Sequence, residues 1–173
     1  MKKGDIWISA VLYIALGIII ITIVLAAVVP LIEKLRDRNT FIQTKELLYA
    51  IDDNIKTVST EGTGSKRFLS PLKIDKGEMI IDENTNEIIW QIKTKYKAME
   101  SNIDFNEGAL ILASKETNVK DEYLLSIKLK YENIAILNLD SLYDSSLTGT
   151  YTMLIEHTGT YSNNIPVIKL TIK

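Results

Sequence analysis

Residues 6 to 32 read IWISAVLYIALGIIIITIVLAAVVPLI, a run of 27 residues that contains no charged side chain. A helix of this length spans about 40 Å, which exceeds the roughly 30 Å hydrocarbon core of a bilayer. The run is apolar on all sides, and only a large protein buries such a helix completely. The sequence therefore predicts a helix that contacts lipid, or other helices that replace lipid.

This run also extends beyond the apolar part of an ordinary secretory signal, which has about 7 to 15 residues before a small-residue cleavage site. Ala26 and Ala27 are small, but they come late in the run, and the helical pattern continues past them. We therefore expect the helix to remain on the mature protein.

The pattern changes after the run, because apolar residues then recur at spacings of three, four and seven, as on one face of a helix. Charged side chains fill the other face, and the Gly-rich segment Ser59 to Gly64 ends the pattern. We predict one continuous helix of about fifty residues, or about 75 Å. Its predicted apolar stripe is Leu31, Leu35, Phe41, Ile42, Leu48, Ile51, Ile55 and Val58.

Beyond Gly64 the sequence alternates between apolar and polar residues, as in half-buried strands. Turn residues, including Asp75 to Gly77, separate these segments. Some eight short strands in about 105 residues indicate an antiparallel sandwich or meander, with the amphipathic half of the helix against one side. The predicted strands are 69–74, 78–81, 88–94, 110–114, 123–131, 134–139, 150–156 and 167–172.

The expected fold is therefore α+β, with a long N-terminal hydrophobic and amphipathic helix followed by an antiparallel β-rich head domain. Residues 5–32 are expected to form the transmembrane or filament-core helix, and residues 33–60 its amphipathic extension. Residues 65–173 are expected to form the head.

Composition argues against an enzyme and against a cofactor. The chain has no cysteine and a single histidine, His157, which excludes Cys/His nucleophiles and multi-histidine metal sites. His157 follows the end of the predicted strand 150–156, and we expect it to face solvent in a turn. The lysines are interspersed with acidic residues, so no nucleic-acid groove is expected.

One loop begins like a calcium site. Asp82 to Asn86 places oxygen ligands at alternate positions, but position six is Glu87 instead of glycine and position twelve is Lys93 instead of glutamate. The sequence favours a plain hairpin turn at this loop, and we expect no metal site.

The start of the chain resembles the class III signal of archaeal type IV pilin-like proteins. Lys2, Lys3 and Gly4 match the short basic leader that ends in glycine, directly before the apolar helix. The resemblance covers about the first 55 residues. It implies that a prepilin peptidase removes residues 1–4, so that Asp5 becomes the new N-terminus. Bacterial pilins have a glutamate at the fifth mature position, where this chain has Ser9, and this difference points to the archaeal branch.

The resemblance further implies a structural subunit that is first anchored in the membrane and then assembled into a cell-surface filament. Its partners would be copies of itself, other pilin-like subunits, the membrane, the prepilin peptidase and the pilus assembly machinery. In the filament core, close packing around small residues would offset the loss of lipid contacts. The residues expected to form the helix packing surface are Ile6, Ala10, Tyr13, Ala15, Gly17, Ala26, Ala27 and Pro30.

An alternative remains open from the sequence. The helix would then be a single-pass anchor, and the β head an extracytoplasmic binding module. An uncleaved N-terminus would favour the anchor, and a cut after Gly4 would favour the pilin. The sequence does not choose between a major pilin, a minor pilin and a secretion pseudopilin.

Overall fold

The computed structural model describes the backbone of residues 3–141 and 146–173, and the side chains of these residues except 3–6 and 141. Within these ranges one long helix precedes eight strands, which confirms the predicted α+β fold. The elements are α1 (Lys3–Glu61), β1 (Lys66–Asp82), β2 (Glu87–Thr94), β3 (Phe105–Glu107), β4 (Leu110–Glu116), β5 (Tyr123–Lys130), β6 (Ile136–Ser141), β7 (Ser146–Ser162) and β8 (Ile165–Ile172).

The chain divides into two units, and the boundary lies inside α1, between Arg36 and Asp37. We call residues 3–36 the apolar helix segment and residues 37–173 the head. The C-terminal part of α1 therefore belongs to the same unit as the described strands. The head begins earlier than the predicted residue 65, because the amphipathic part of α1 contributes to its core.

The apolar stripe of α1 is buried only within the head. Phe41, Leu48, Ile51, Ile55 and Val58 are buried in a core that also contains side chains from the strands. The stripe prediction is wrong at three positions, all of which are exposed. Leu31 and Leu35 precede the first residue of the head. Ile42 is displaced by about 100° around the helix from Phe41, which is buried.

The strands form one sheet in the order β3-β4-β5-β2-β1-β7-β8-β6, which corrects the expected sandwich or meander. All pairs are antiparallel except β6 with β8. β1 runs through the predicted break at Asp75 to Gly77, which persists as an irregularity in its pairing with β7. β3 was not predicted, because three residues are too few to reveal an alternating pattern.

The turn between β1 and β2 covers one edge of this sheet. The Asn86 side-chain oxygen accepts a hydrogen bond from the Leu137 amide at 2.9 Å, and a Glu83 carboxylate oxygen accepts one from the Leu139 amide at 2.7 Å. Both amides belong to β6, the last strand in the sheet order. Unpaired edge amides can pair with the strands of other chains, and these two side chains occupy two of the edge amides of β6.

A tyrosine is buried beneath α1. The Tyr131 side chain is inaccessible to solvent, and its hydroxyl has no hydrogen-bond partner of ordinary geometry among the described residues. Burial, first, and then the nearby Asp52 carboxylate raise the pKa of Tyr131 well above its ordinary value of 10.0. Asp52 is itself paired with Lys56 one turn along α1, at 2.7 Å.

This raised pKa predicts a loss of stability in alkali. Above pH 10 the unfolded chain ionises its tyrosine while the folded head keeps Tyr131 neutral, so the free energy of unfolding falls. One such group lowers it by up to about 1.4 kcal/mol per pH unit. Urea unfolding between pH 8 and pH 11 should show that Tyr131→Phe flattens this fall, whereas the exposed control Tyr161→Phe does not. Equal pH profiles for Tyr131→Phe and the unmodified chain would contradict this account.

Candidate assembly helix

The predicted leader lies at the start of α1. Lys2 is outside the described residues, and α1 begins at Lys3 and continues through Gly4, Asp5 and Ile6 with helical backbone. The bond between Gly4 and Asp5 is therefore in the first turn of the helix.

From Trp7 to Arg36, where its side chains are described, the apolar helix segment buries none of its large side chains. Each large apolar side chain from Trp7 to Ile32 is exposed, and Trp7 and Tyr13 retain 77% and 75% of their accessible surface. By length and composition, α1 from Trp7 is able to cross a membrane, and none of its most apolar part is covered by the described protein. Apolar surface of this extent is compatible with an environment of lipid or of other apolar helices.

The small residues of this segment face more than one side of the helix. Ala10 and Gly17 are seven residues apart, so these two side chains point in nearly the same direction from the helix axis. Ala15 and Ala26 are eleven residues apart, and they likewise share one direction. Ala15 is about 140° around the helix from Ala10. Tyr13 lies near the first pair, Pro30 lies near the second, and Ala27 lies between them. The predicted packing residues with described side chains therefore spread around more than one side of the helix.

The polar and irregular positions of the segment are compatible with an apolar environment. The Thr22 hydroxyl donates to the Ile18 carbonyl at 2.8 Å, so its hydrogen bond is made within the helix. α1 continues across Pro30, which lacks an amide hydrogen. A Cβ atom added at Gly17 would meet nothing within 4 Å, so the fold of the single chain does not require glycine there.

His157 is buried, so the expectation of a solvent-facing turn residue is wrong. It lies inside β7, where its side chain is only 1% exposed, and its Nδ1 accepts a hydrogen bond from the Gly159 amide at 2.9 Å. Its ring packs against Tyr161. β7 extends to Ser162, past the predicted strand end at residue 156, and this extension places His157 on the same face as the buried Met153 and Ile155.

The calcium-like loop is the β1–β2 hairpin turn. The Asp82 carboxylate accepts a hydrogen bond from the Asn84 amide at 2.9 Å, and the Asn84 amide, first, and then Thr85 lower the pKa of Asp82. Glu83 and Asn86 bind β6, as described above, so these loop oxygens are already used by the fold. Among the described residues, no group of three His, Cys, Asp or Glu side chains is arranged to hold a metal ion.

One polar cluster in the head was not predicted. Asp37, the first residue of the head, pairs with Lys76 at 2.7 Å and accepts a hydrogen bond from the Thr94 hydroxyl at 2.5 Å. The Thr94 hydroxyl accepts in turn from the Tyr96 amide at 2.9 Å. This cluster ties α1 to β1 and β2 at the residue where the head begins. Asp37, Lys76 and Thr94 are 18 to 57 positions apart in the chain, so no local pattern reveals the cluster.

Comparison of the chain with protein-family models, with curated proteins and with solved structures finds no match.

Proposed function

We propose that this protein is a structural subunit of an archaeal type IV pilus-like filament, which assembles through its N-terminal helix with the β head outside. Before assembly, the apolar helix segment would anchor the subunit in the membrane. After removal of residues 1–4 by a prepilin peptidase, the helices of successive subunits would bundle into the filament core at the cell surface. Its partners would be copies of itself, other pilin-like subunits and the assembly machinery.

The observation that supports this proposal most strongly is the difference in side-chain burial between the two parts of α1. The part of α1 inside the head is buried on one face, whereas the segment from Trp7 to Ile32 leaves all its large apolar side chains exposed. The head has its own hydrophobic core and does not need the apolar segment to cover it. The apolar segment is thus available for lipid, and then for neighbouring helices.

The spread of small residues around more than one side of the helix favours a bundle over a simple anchor. In lipid, no hydrophobic driving force brings helices together, so their association depends on close van der Waals packing. Small side chains allow this packing because they let the helix backbones approach closely. A helix in a filament core has neighbours on more than one side. The Ala10–Gly17 pair and the Ala15–Ala26 pair point in different directions, as such an arrangement requires.

The test is to express the chain in an archaeal host that has a prepilin peptidase and pilus machinery. We expect the intact mass of the membrane-extracted protein to correspond to a chain beginning at Asp5, and electron microscopy to show filaments that contain the head. Gly4→Ile should block the cut and abolish filaments, because it alters the residue directly before the scissile bond.

Two further variants separate processing from assembly. Gly17→Leu should still be processed but should form few or no filaments, because a large side chain prevents close approach of a second helix. Ile18→Leu conserves volume at an exposed position of the same helix, and it should leave both processing and filaments intact. The filament proposal would be refuted if the protein kept residues 1–4 and remained monomeric. That result would favour the single-pass binding module.

A further inference from the structure

Three exposed lysines occur at alternate positions of the sequence, and the fold brings them near Asp37, the first residue of the head. Lys93, Lys95 and Lys97 lie at and just beyond the end of β2, while Ile92 and Thr94 between and beside them are buried. No acidic residue occurs from Ile88 to Met99. We call Lys93, Lys95 and Lys97 the lysine segment.

The fold holds the lysine segment at the first residue of the head. Thr94 donates its hydroxyl hydrogen to Asp37 at 2.5 Å, and the Tyr96 amide donates to the same hydroxyl at 2.9 Å. The second carboxylate oxygen of Asp37 is paired with Lys76 at 2.7 Å. Because Thr94 is buried between two of the lysines, this contact fixes the lysine segment to α1.

Asp37 is only five residues beyond Ile32, the last residue of the uncharged run. Both residues belong to α1, and five helical residues advance by about 7.5 Å, or by at most about 18 Å even if the chain were extended. If the run is embedded in a bilayer, the lysine segment is therefore close to the lipid headgroups in any orientation of the head. The separation of about 7.5 Å between Ile32 and Asp37 along the helix is comparable to the Debye length of about 10 Å at 0.1 M salt.

Few carboxylates compete for these lysines. Lys97 pairs with Glu100 at 3.3 Å, in an exposed ion pair of the weak kind, and Lys93 lies near Glu78. No described carboxylate forms an ion pair with Lys95. The nearby Asp37 carboxylate is already neutralised by Lys76. Of the three lysines, only Lys97 forms an ion pair with a described carboxylate, so the charges of Lys93 and Lys95 are not taken up by ion pairs.

From this placement we propose that the lysine segment binds the anionic headgroups of the membrane while the subunit is still anchored, and so holds the head against the bilayer surface. This inference rests on the membrane-resident helix of the proposed function, but it does not require filament assembly. Anionic lipid surfaces attract basic residues that lie within a Debye length, and each lysine strengthens binding about fivefold.

The test uses the full chain in vesicles of phosphatidylcholine, with and without phosphatidylglycerol. The chain has no cysteine, so a fluorophore can be attached at Val119→Cys, which is exposed in the turn that leads into β5, the strand whose first residue Tyr123 pairs with Thr94. A second label at Thr63→Cys reports the opposite end of the head part of α1. Nitroxide-labelled lipid headgroups should quench the Val119 label strongly only in the anionic vesicles, and molar salt should abolish this quenching.

The triple variant Lys93→Gln/Lys95→Gln/Lys97→Gln should remove the lipid dependence, with a fall on the order of 100-fold in the ratio of bound to detached heads. The matched control is Lys66→Gln/Lys130→Gln/Lys169→Gln, which removes the same charge from lysines paired with Glu156, Glu87 and Asp140. The control should retain the lipid-dependent quenching.

Equal quenching in both vesicle types, or an equal loss in the two triple variants, would overturn the proposal. Flotation of the same samples keeps this result separate from the proposed function. A chain that does not float with vesicles refutes the membrane-resident helix, whereas a chain that floats without lipid-dependent quenching refutes only the role of the lysine segment.

Discussion

Replacing Ile51 with alanine is expected to lower the free energy of unfolding of the head by about 2 to 5 kcal/mol. Ile51 is fully buried on the face of α1 that packs into the core, so truncation loses its apolar contacts and leaves a cavity. Alanine has the highest helix propensity, so the loss would come from packing and not from the helix itself.

The matched control is Ile42→Ala, the same substitution on the same helix at a side chain that is 44% exposed. It should cost under about 1 kcal/mol, since little apolar area is lost and no cavity is formed. Urea unfolding in detergent, followed by Trp90 fluorescence in a Trp7→Phe background, measures both variants, because the chain has only two tryptophans. Similar losses at the two positions would show that α1 does not pack on the sheet through this face.

Gly77→Ala is the second substitution with a large expected effect, a loss of about 2 to 5 kcal/mol from combined backbone strain and overpacking. Gly77 has φ of +77°, where residues with a Cβ are disfavoured. An added Cβ would also lie 2.3 Å from the Gln91 carbonyl oxygen and 3.0 Å from the indole nitrogen of Trp90. The strand backbone has to move to relieve the first of these contacts.

The control for Gly77 separates strain from steric overlap. Gly64 has a similar φ of +85°, but a Cβ there would meet nothing within 4 Å. Gly64→Ala should therefore show only the conformational cost, about 1 to 2 kcal/mol. The same urea titration compares the two variants. A Gly77→Ala variant no less stable than Gly64→Ala would mean that the approach of β2 to Gly77 is looser than described.

The disturbance at Gly77 should also reach the start of the head. The Trp90 indole nitrogen donates to the Lys76 carbonyl at 3.0 Å, and Lys76 pairs with Asp37. A displaced β2 would weaken both contacts, and the emission of Trp90 in the native state should shift toward the red as its indole becomes more exposed. Gly64→Ala should leave this emission unchanged.

Much of the architecture was predictable because its signals are local. An uncharged run as long as 6–32 predicts a helix long and apolar enough to cross a membrane, and α1 contains the whole of this run. The spacing of Leu48, Ile51, Ile55 and Val58 likewise indicates one buried face, and all four are buried. The alternation in Tyr123–Lys130 predicts a half-buried strand, and β5 occupies that range.

Other predictions failed where the outcome depends on distant residues. Leu35 has the same periodic spacing as Leu48, but it precedes the head and is exposed. His157 follows what looks like a strand end, yet β7 continues because its far part pairs with β8. The hairpin turn at Asp82 to Asn86 was predicted as a turn, but its role in covering β6 was not.

The sequence alone determined the class of fold and the candidate assembly helix, including the positions of Ala10, Ala15, Gly17 and Ala26, because helix periodicity and hydropathy are properties of neighbouring residues. Only the tertiary structure decided the strand order, the burial of His157 and the attachment of Asp37 to Lys76 and Thr94. Each of these depends on contacts between residues far apart in the chain, whose register is set by packing of the whole head and not by any local pattern.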